Sequence, residues 1–182
     1  MLEDRVERFL EMMSEHISAT FFIWLEAEGF FEAPASRNYH GNSEGQLFEH
    51  SYNVAKELER LTIANNLKWL NPRSPYIIGM FHDLCKINRY KYYWEIENDE
   101  CAIFKIELAD NMILNGHGDK SIMLLSQFMT LTMEEILCIR WHMGAFDTEE
   151  NKNYYSASVS QYPNVLWTHV ADMISAKITE NK

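Results

Sequence analysis

The stretch Met80-Phe81-His82-Asp83-Leu84-Cys85-Lys86 constrains what this chain can fold into more than any other, because it sets an imidazole and a carboxylate side by side among apolar residues. Burying an unpartnered carboxylate costs several kcal/mol. Asp83 therefore needs a cation, a strong set of hydrogen bonds or an edge position, and a divalent metal ion shared with His82 would meet that need. More such groups occur in distant stretches: His50 in Leu47-Phe48-Glu49-His50-Ser51, His117 in Gly116-His117-Gly118-Asp119-Lys120-Ser121, His142 in Arg140-Trp141-His142-Met143-Gly144, and Asp172 in His169-Val170-Ala171-Asp172-Met173. The order along the chain is His, His-Asp, His, His, Asp.

With 182 residues and 47% hydrophobic content, the chain is long enough for one well-buried core and short for two. A single domain over 1–182 is expected, with covering helices in 1–30 and a metal-binding core in 37–177. A formal charge of -11 argues against an extended nucleic-acid surface, which needs clustered Lys and Arg. Cys85, Cys101 and Cys138 are odd in number and lack a Cys-x-x-Cys spacing, so reduced thiols and a cytoplasmic location are expected. The acidic start, with Glu3, Asp4 and Glu7, is unlike a secretory leader, and no stretch approaches the roughly 18–20 apolar residues of a membrane span.

Apolar residues recur at helical spacing in 2–30 (Val6, Phe9, Leu10, Met13, Ile17, then Phe21, Phe22, Trp24, Leu25), which predicts one or two amphipathic helices over the core. Residues 31–45, with Pro34, Gly41 and Gly45, read as a loop at the mouth of any site that follows. Ser43 and Gln46 fit a capping box for a helix over 46–65, whose inward stripe of Leu47, Val54, Leu58 and Leu61 shares its face with His50. Ser74-Pro75 predicts a helix over 75–85 with His82 and Asp83 in its last turns. Neighbours on a helix lie about 100° apart, so both would reach one centre only from an edge of the apolar face. A short hairpin or irregular excursion is expected near 88–115, then helices over 121–129 and 132–143, the second with a Thr132 and Glu135 capping box. A polar, Tyr-rich loop over 144–163 and a final helix over 164–179, with Leu166, Val170, Met173 and Ile174 inward, complete an all-α bundle.

Taken together, the ordered pieces resemble the HD-domain superfamily of metal-dependent phosphohydrolases. Gly45-Gln46-Leu47-Phe48-Glu49-His50-Ser51 resembles the family's first helix, where glycines and two apolar residues precede Glu-His-Ser or Glu-His-Thr. His82-Asp83-Leu84-Cys85-Lys86 resembles the signature His-Asp-Ile-Gly-Lys, with Cys85 in place of the usual glycine, and Ala171-Asp172-Met173-Ile174-Ser175-Ala176 resembles the terminal Ala-Asp element. Within the superfamily, the His117 and His142 segments look like those of a compact bacterial and phage group. The resemblance implies an all-α HD-domain bundle in which His50, His82, Asp83 and Asp172 form the primary metal site. It also implies that His117 and His142 complete a second site, with Asp83 bridging.

Mixed imidazole and carboxylate ligands suit Mn, Fe, Co, Ni, Mg or Zn, so one or two divalent ions of open identity are expected. Such ions activate water and neutralise charge growing on a phosphoryl group. Asp83 is expected to be catalytic as the bridge, and Lys86 as a phosphate-facing cation; Arg37, His40 and Lys120 are further substrate-binding candidates. Asp119 or Glu49 would orient a water, and His169 would support Asp172. Tyr90, Tyr92, Tyr93 and Trp94 either stack on a base or pack in the core or a lid. The expected activity is hydrolysis of a small phosphorylated substrate, foremost a nucleotide. The alternatives are a 3′-5′ exonuclease or phosphodiesterase on single-stranded RNA or DNA, and a non-catalytic metal-containing nucleotide-binding or regulatory protein. A homodimer is left open.

Overall fold

A computed structural model of the chain describes residues 2–36, 42–97, 101–109, 116–144 and 151–179. The apolar spacing near the start resolves into two helices, α1 (Leu2–Met13) and α2 (Ala19–Ala27). Glu3 and Asp4 face the positive end of the α1 dipole, and Ser18 caps α2, its Oγ accepting from the Phe21 N–H at 3.2 Å. Then come α3 (Gln46–Asn65) and α4 (Ser74–Phe81), a 3₁₀ turn over Leu84–Asn88, the antiparallel strands β1 (Tyr90–Glu97) and β2 (Cys101–Leu108), α5 (His117–Leu125), α6 (Met133–Arg140), α7 (Lys152–Gln161) and α8 (Asn164–Ile174), which runs into a π-helical turn over Ser175–Thr179. The molecule is thus mostly helical with one small hairpin. Among the described residues, no helix is long and apolar enough to cross a membrane.

The core is aromatic where the first helices meet α3 and α4. Phe9 packs edge-on against Phe31 at 5.2 Å, and Phe81 meets Phe9, Phe21 and Phe30 at 5.1–6.3 Å. All five of these rings are fully or almost fully buried. Such pairs add about 1 kcal/mol each to the burial of the rings themselves. Helix α4 is buried from Ser74 to Phe81 except at the half-buried Tyr76, which places it centrally and explains its nearly continuous apolar sequence. It lies close on α3 because Gly79 has no side chain: a Cβ there would stand 2.3 Å from the Ala55 Cα. In the same way, a Cβ on Gly118 of α5 would stand 2.6 Å from the Arg140 Cα of α6.

Several boundaries differ from the sequence reading. Helix α3 spans 46–65 as expected, yet its N-cap is Gly45 at φ +77, without a side-chain cap bond. The Ser43 and Gln46 capping box is therefore not formed; the Arg5 guanidinium lies against Gly45 and donates to the Glu44 carbonyl at 3.1 Å instead. Ser74 is inside α4 rather than capping it, and its hydroxyl donates to Glu135 Oε1 at 3.0 Å. The Thr132 and Glu135 capping box is present as read. Helix α5 starts at His117, four residues earlier than expected, and α6 ends at Arg140, so His142 lies in the turn beyond it. Helix α7 stands within the span read as a loop; none of its residues is buried, so it has no apolar stripe to betray it. Leu166 is 44% exposed, because α8 turns Val165, Thr168 and Ala171 inward. The excursion is a hairpin held by alternating cross-strand pairs, with Trp94 on Phe104 at 5.2 Å and Tyr93 donating to Glu107 at 3.0 Å.

Candidate metal centre

His82 and Asp83 sit at a break in the helix rather than in its last turns. His82 keeps helical angles, its N–H bonded to Ile78 O at 2.9 Å, whereas Asp83 (φ -107, ψ 18) leaves the helix and its carbonyl accepts from Lys86 N at 2.9 Å to begin the 3₁₀ turn. This turn removes the 100° separation that a continuous helix would impose, so both side chains face one space.

The imidazoles are aimed by the backbone. His82 Nδ1 lies 2.9 Å from Gly79 O, and His142 Nδ1 lies 2.7 Å from Ile139 O. A carbonyl only accepts, so each Nδ1 carries the proton and each Nε2 presents a lone pair inward. His50, from the buried face of α3, brings its Nε2 within 3.2 Å of His82 Nε2, 3.1 Å of Asp172 Oδ1 and 3.9 Å of Asp83 Oδ2. His82 Nε2 is 3.5 Å from Asp83 Oδ2 and 3.9 Å from Asp172 Oδ1; His142 Nε2 is 3.6 Å from Asp83 Oδ1. Two ring nitrogens at 3.2 Å need a proton or a cation between them.

These residues fit a divalent ion on their own geometry. Donor atoms that each lie about 2.1 Å from a common ion stand roughly 3–4 Å from one another, which is the spread observed. His142 Nε2 is buried without any hydrogen-bond partner, the kind of orphaned acceptor that native structures rarely leave. Donor atoms of His50, His82 and Asp83, and of His82, His142 and Asp172, fall within 4.8 Å of one another, so these buried groups could hold a metal ion.

The field inside the cluster is governed by burial and by Lys86. Burial pushes the Asp83 carboxyl upward, but Lys86, with its ammonium 2.6 Å from Oδ2, and the surrounding imidazoles outweigh it and hold Asp83 well below the usual carboxylate range. Asp172 is likewise raised by burial, yet its hydrogen bond from His50 and the nearby rings bring it down to about 2. Burial lowers His82 to about 4, which keeps the ring neutral and available as a ligand.

His117, the first residue of α5, joins from the other side: its ring, the Asp83 carboxylate and the Cys85 thiol also fall within 4.8 Å of one another. Cys85 Sγ is 3.8 Å from His117 Nδ1, and its backbone N–H donates to Ser121 Oγ at 3.1 Å. Burial and the Asp83 charge push the Cys85 thiol up to about 11. Arg89 Nη1 lies 2.9 Å from Nδ1 and 2.7 Å from Nε2 of His117. Arg89 and Ser121 were not among the sequence candidates, and nothing in their immediate sequence marks them.

Other candidates are placed differently. Glu49 does not face the cluster; it is bound by the Arg8 guanidinium at 2.6 Å and 3.1 Å and so ties α1 to α3. Asp119 is paired with Arg140. His169 reaches the turn that holds His142, its Nδ1 lying 2.7 Å from the His142 carbonyl. Lys120 is half-buried on the first turn of α5. Arg37 and His40 lie outside the described residues. Of the hairpin aromatics, Tyr92 packs on the core, whereas Tyr93 and Trp94 are exposed.

Compared with family models, curated proteins and solved structures, the chain matches none.

Proposed function

We propose that this chain is an HD-domain metal-dependent phosphohydrolase acting on a small phosphorylated molecule, foremost a nucleotide. One observation carries the reading: Nε2 atoms of His50, His82 and His142 converge with the carboxylates of Asp83 and Asp172 from α3, the α4 break, the turn after α6 and α8, while Lys86 stands against the same carboxylate. His50, His82, Asp83 and Asp172 would hold the ion, with His142 and His117 available to a second one bridged by Asp83. When bound, a divalent ion supplies the positive charge that makes water acidic and polarises phosphoryl oxygens.

The chain's own residues do the rest. The carbonyls of Gly79 and Ile139 fix the ring orientations of His82 and His142. Lys86, its ammonium 2.6 Å from Asp83 Oδ2, keeps Asp83 ionised. Phe81 and Leu84, which flank the His82-Asp83 pair in sequence, are fully buried, and such low-dielectric surroundings strengthen these charges.

Purified protein loaded in turn with Mn, Co, Ni, Mg or Zn is expected to release phosphate or cleave ester from at least one member of a panel of nucleoside mono-, di- and triphosphates and cyclic nucleotides. Silence across that panel and across generic phosphoesters contradicts the proposal; shortening of a labelled oligonucleotide instead would favour the exonuclease reading.

A further inference from the structure

We infer that Arg89 is the residue that receives the phosphoryl group of the substrate, an inference that rests on the phosphohydrolase reading above. Residues three apart in a 3₁₀ turn stack on one side. Lys86, in the turn, and Arg89, at its C-cap, therefore project together, Lys86 to Asp83 and Arg89 to His117, whose ring shares a cluster with Asp83.

The two cations are committed differently. The Lys86 ammonium lies 2.6 Å from Asp83 Oδ2 and its charge is already met. Arg89 has no carboxylate within salt-bridge distance among the described residues; its Nη1 rests on the His117 ring, and its Nε is buried without an acceptor. Asp119, two residues beyond His117, is taken by Arg140 and does not serve. A guanidinium with a buried, unmet N–H beside a cluster of this kind is suited to an anion with several oxygens, since its planar fork can span two of them. The charge of the whole chain, -11, bears on the size of that anion. A single uncommitted guanidinium at Arg89 in an acidic protein draws a compact phosphoryl group, whereas the surrounding negative charge repels a long polyanion.

Inorganic phosphate is the probe. Its binding to the full-length, metal-loaded protein is measured by titration calorimetry, with metal content determined on every sample. Arg89→Ala and Arg89→Gln are expected to weaken phosphate binding tenfold or more with metal content unchanged. Arg89→Lys should recover only part, because an ammonium cannot span two oxygens, and Lys68→Ala, whose ammonium bonds to the exposed Asn66 side chain, should change nothing. Wild-type affinity in both Arg89→Ala and Arg89→Gln overturns the inference, as does loss of metal from these variants, which would make Arg89 a support for His117. Absence of phosphate binding by metal-replete wild type overturns it while leaving the metal centre standing. Failure of wild type to hold any metal removes the phosphohydrolase reading and this inference with it.

Discussion

At Asp83 one carboxylate faces two directions, Oδ2 toward Lys86, His82 and His50 and Oδ1 toward His142. A carboxamide has nearly the same shape but no charge, so Asp83→Asn isolates the electrostatic contribution. It is expected to reduce bound metal and turnover by roughly a hundredfold or more, beyond the losses typical of residues that only support a ligand; equilibrium dialysis and kinetics check this. Burial of His82 and His117 gives a pH dependence in protein stripped of metal by a chelator. Each unfolded imidazole takes a proton near 6.5, whereas burial delays this to about 4 in the folded protein. The stability held in full above about pH 6.5 should therefore fall as pH drops toward 4. Asp83 and Asp172, with depressed values, lose their contribution only below about 3.9, outside that window. Denaturant midpoints that stay level from pH 7.5 to 5 would contradict the assignment. The residues of the cluster were legible less from the His-Asp pair itself, which is weak alone, than from the order His, His-Asp, His, His, Asp across distant stretches. Arg89 was not legible, because its position depends on where α5 begins.

Gly79 and Gly118 act at the scale of elements. Each is a point where two helices that position cluster residues pack closely, α3 against α4, which lead to His50 and His82, and α5 against α6, which lead to His117 and, in the turn after α6, His142. Gly79→Val would push the Ala55 backbone away and is expected to cost about 1–3 kcal/mol. It should also weaken metal binding, because His50 Nε2 would move from its 3.2 Å approach to His82 Nε2. Stability lost with full metal affinity would show that the helix spacing does not set the cluster. His169→Ala tests the turn after α6: losing the bond to the His142 carbonyl should lower metal affinity roughly 10-fold. Local chemistry made some element boundaries legible, such as the Thr132 and Glu135 capping box. Others depended on contacts far along the chain. The entry to α3 is set by Gly45 against Arg5, and α7 has no buried residue to give it a period.

Across the whole molecule, an aromatic core of Phe9, Phe21, Phe30, Phe31, Phe48 and Phe81 is fully or almost fully buried, and it joins the metal-ligand candidates through Phe81, the residue before His82. Phe81→Ala is therefore expected to cost about 3–5 kcal/mol and to loosen the cluster at once, which thermal melts with and without metal can measure. The buried Glu134 and Glu135 join α4, α6 and α8 by accepting from Leu70 N at 2.7 Å, Asn164 Nδ2 at 2.9 Å and Ser74 Oγ at 3.0 Å. That network keeps Asp172 and His142 in place relative to His82. The helical character of the chain was legible from its apolar period; the convergence of its distant ends was visible only through the resemblance. The most direct measurement is a crystal structure of metal-soaked protein with anomalous scattering recorded at the absorption edge of the metal. One or two peaks among His50, His82, Asp83, His142 and Asp172 are the expected result, whereas metal-replete crystals with no peak there would contradict the shared-ion centre.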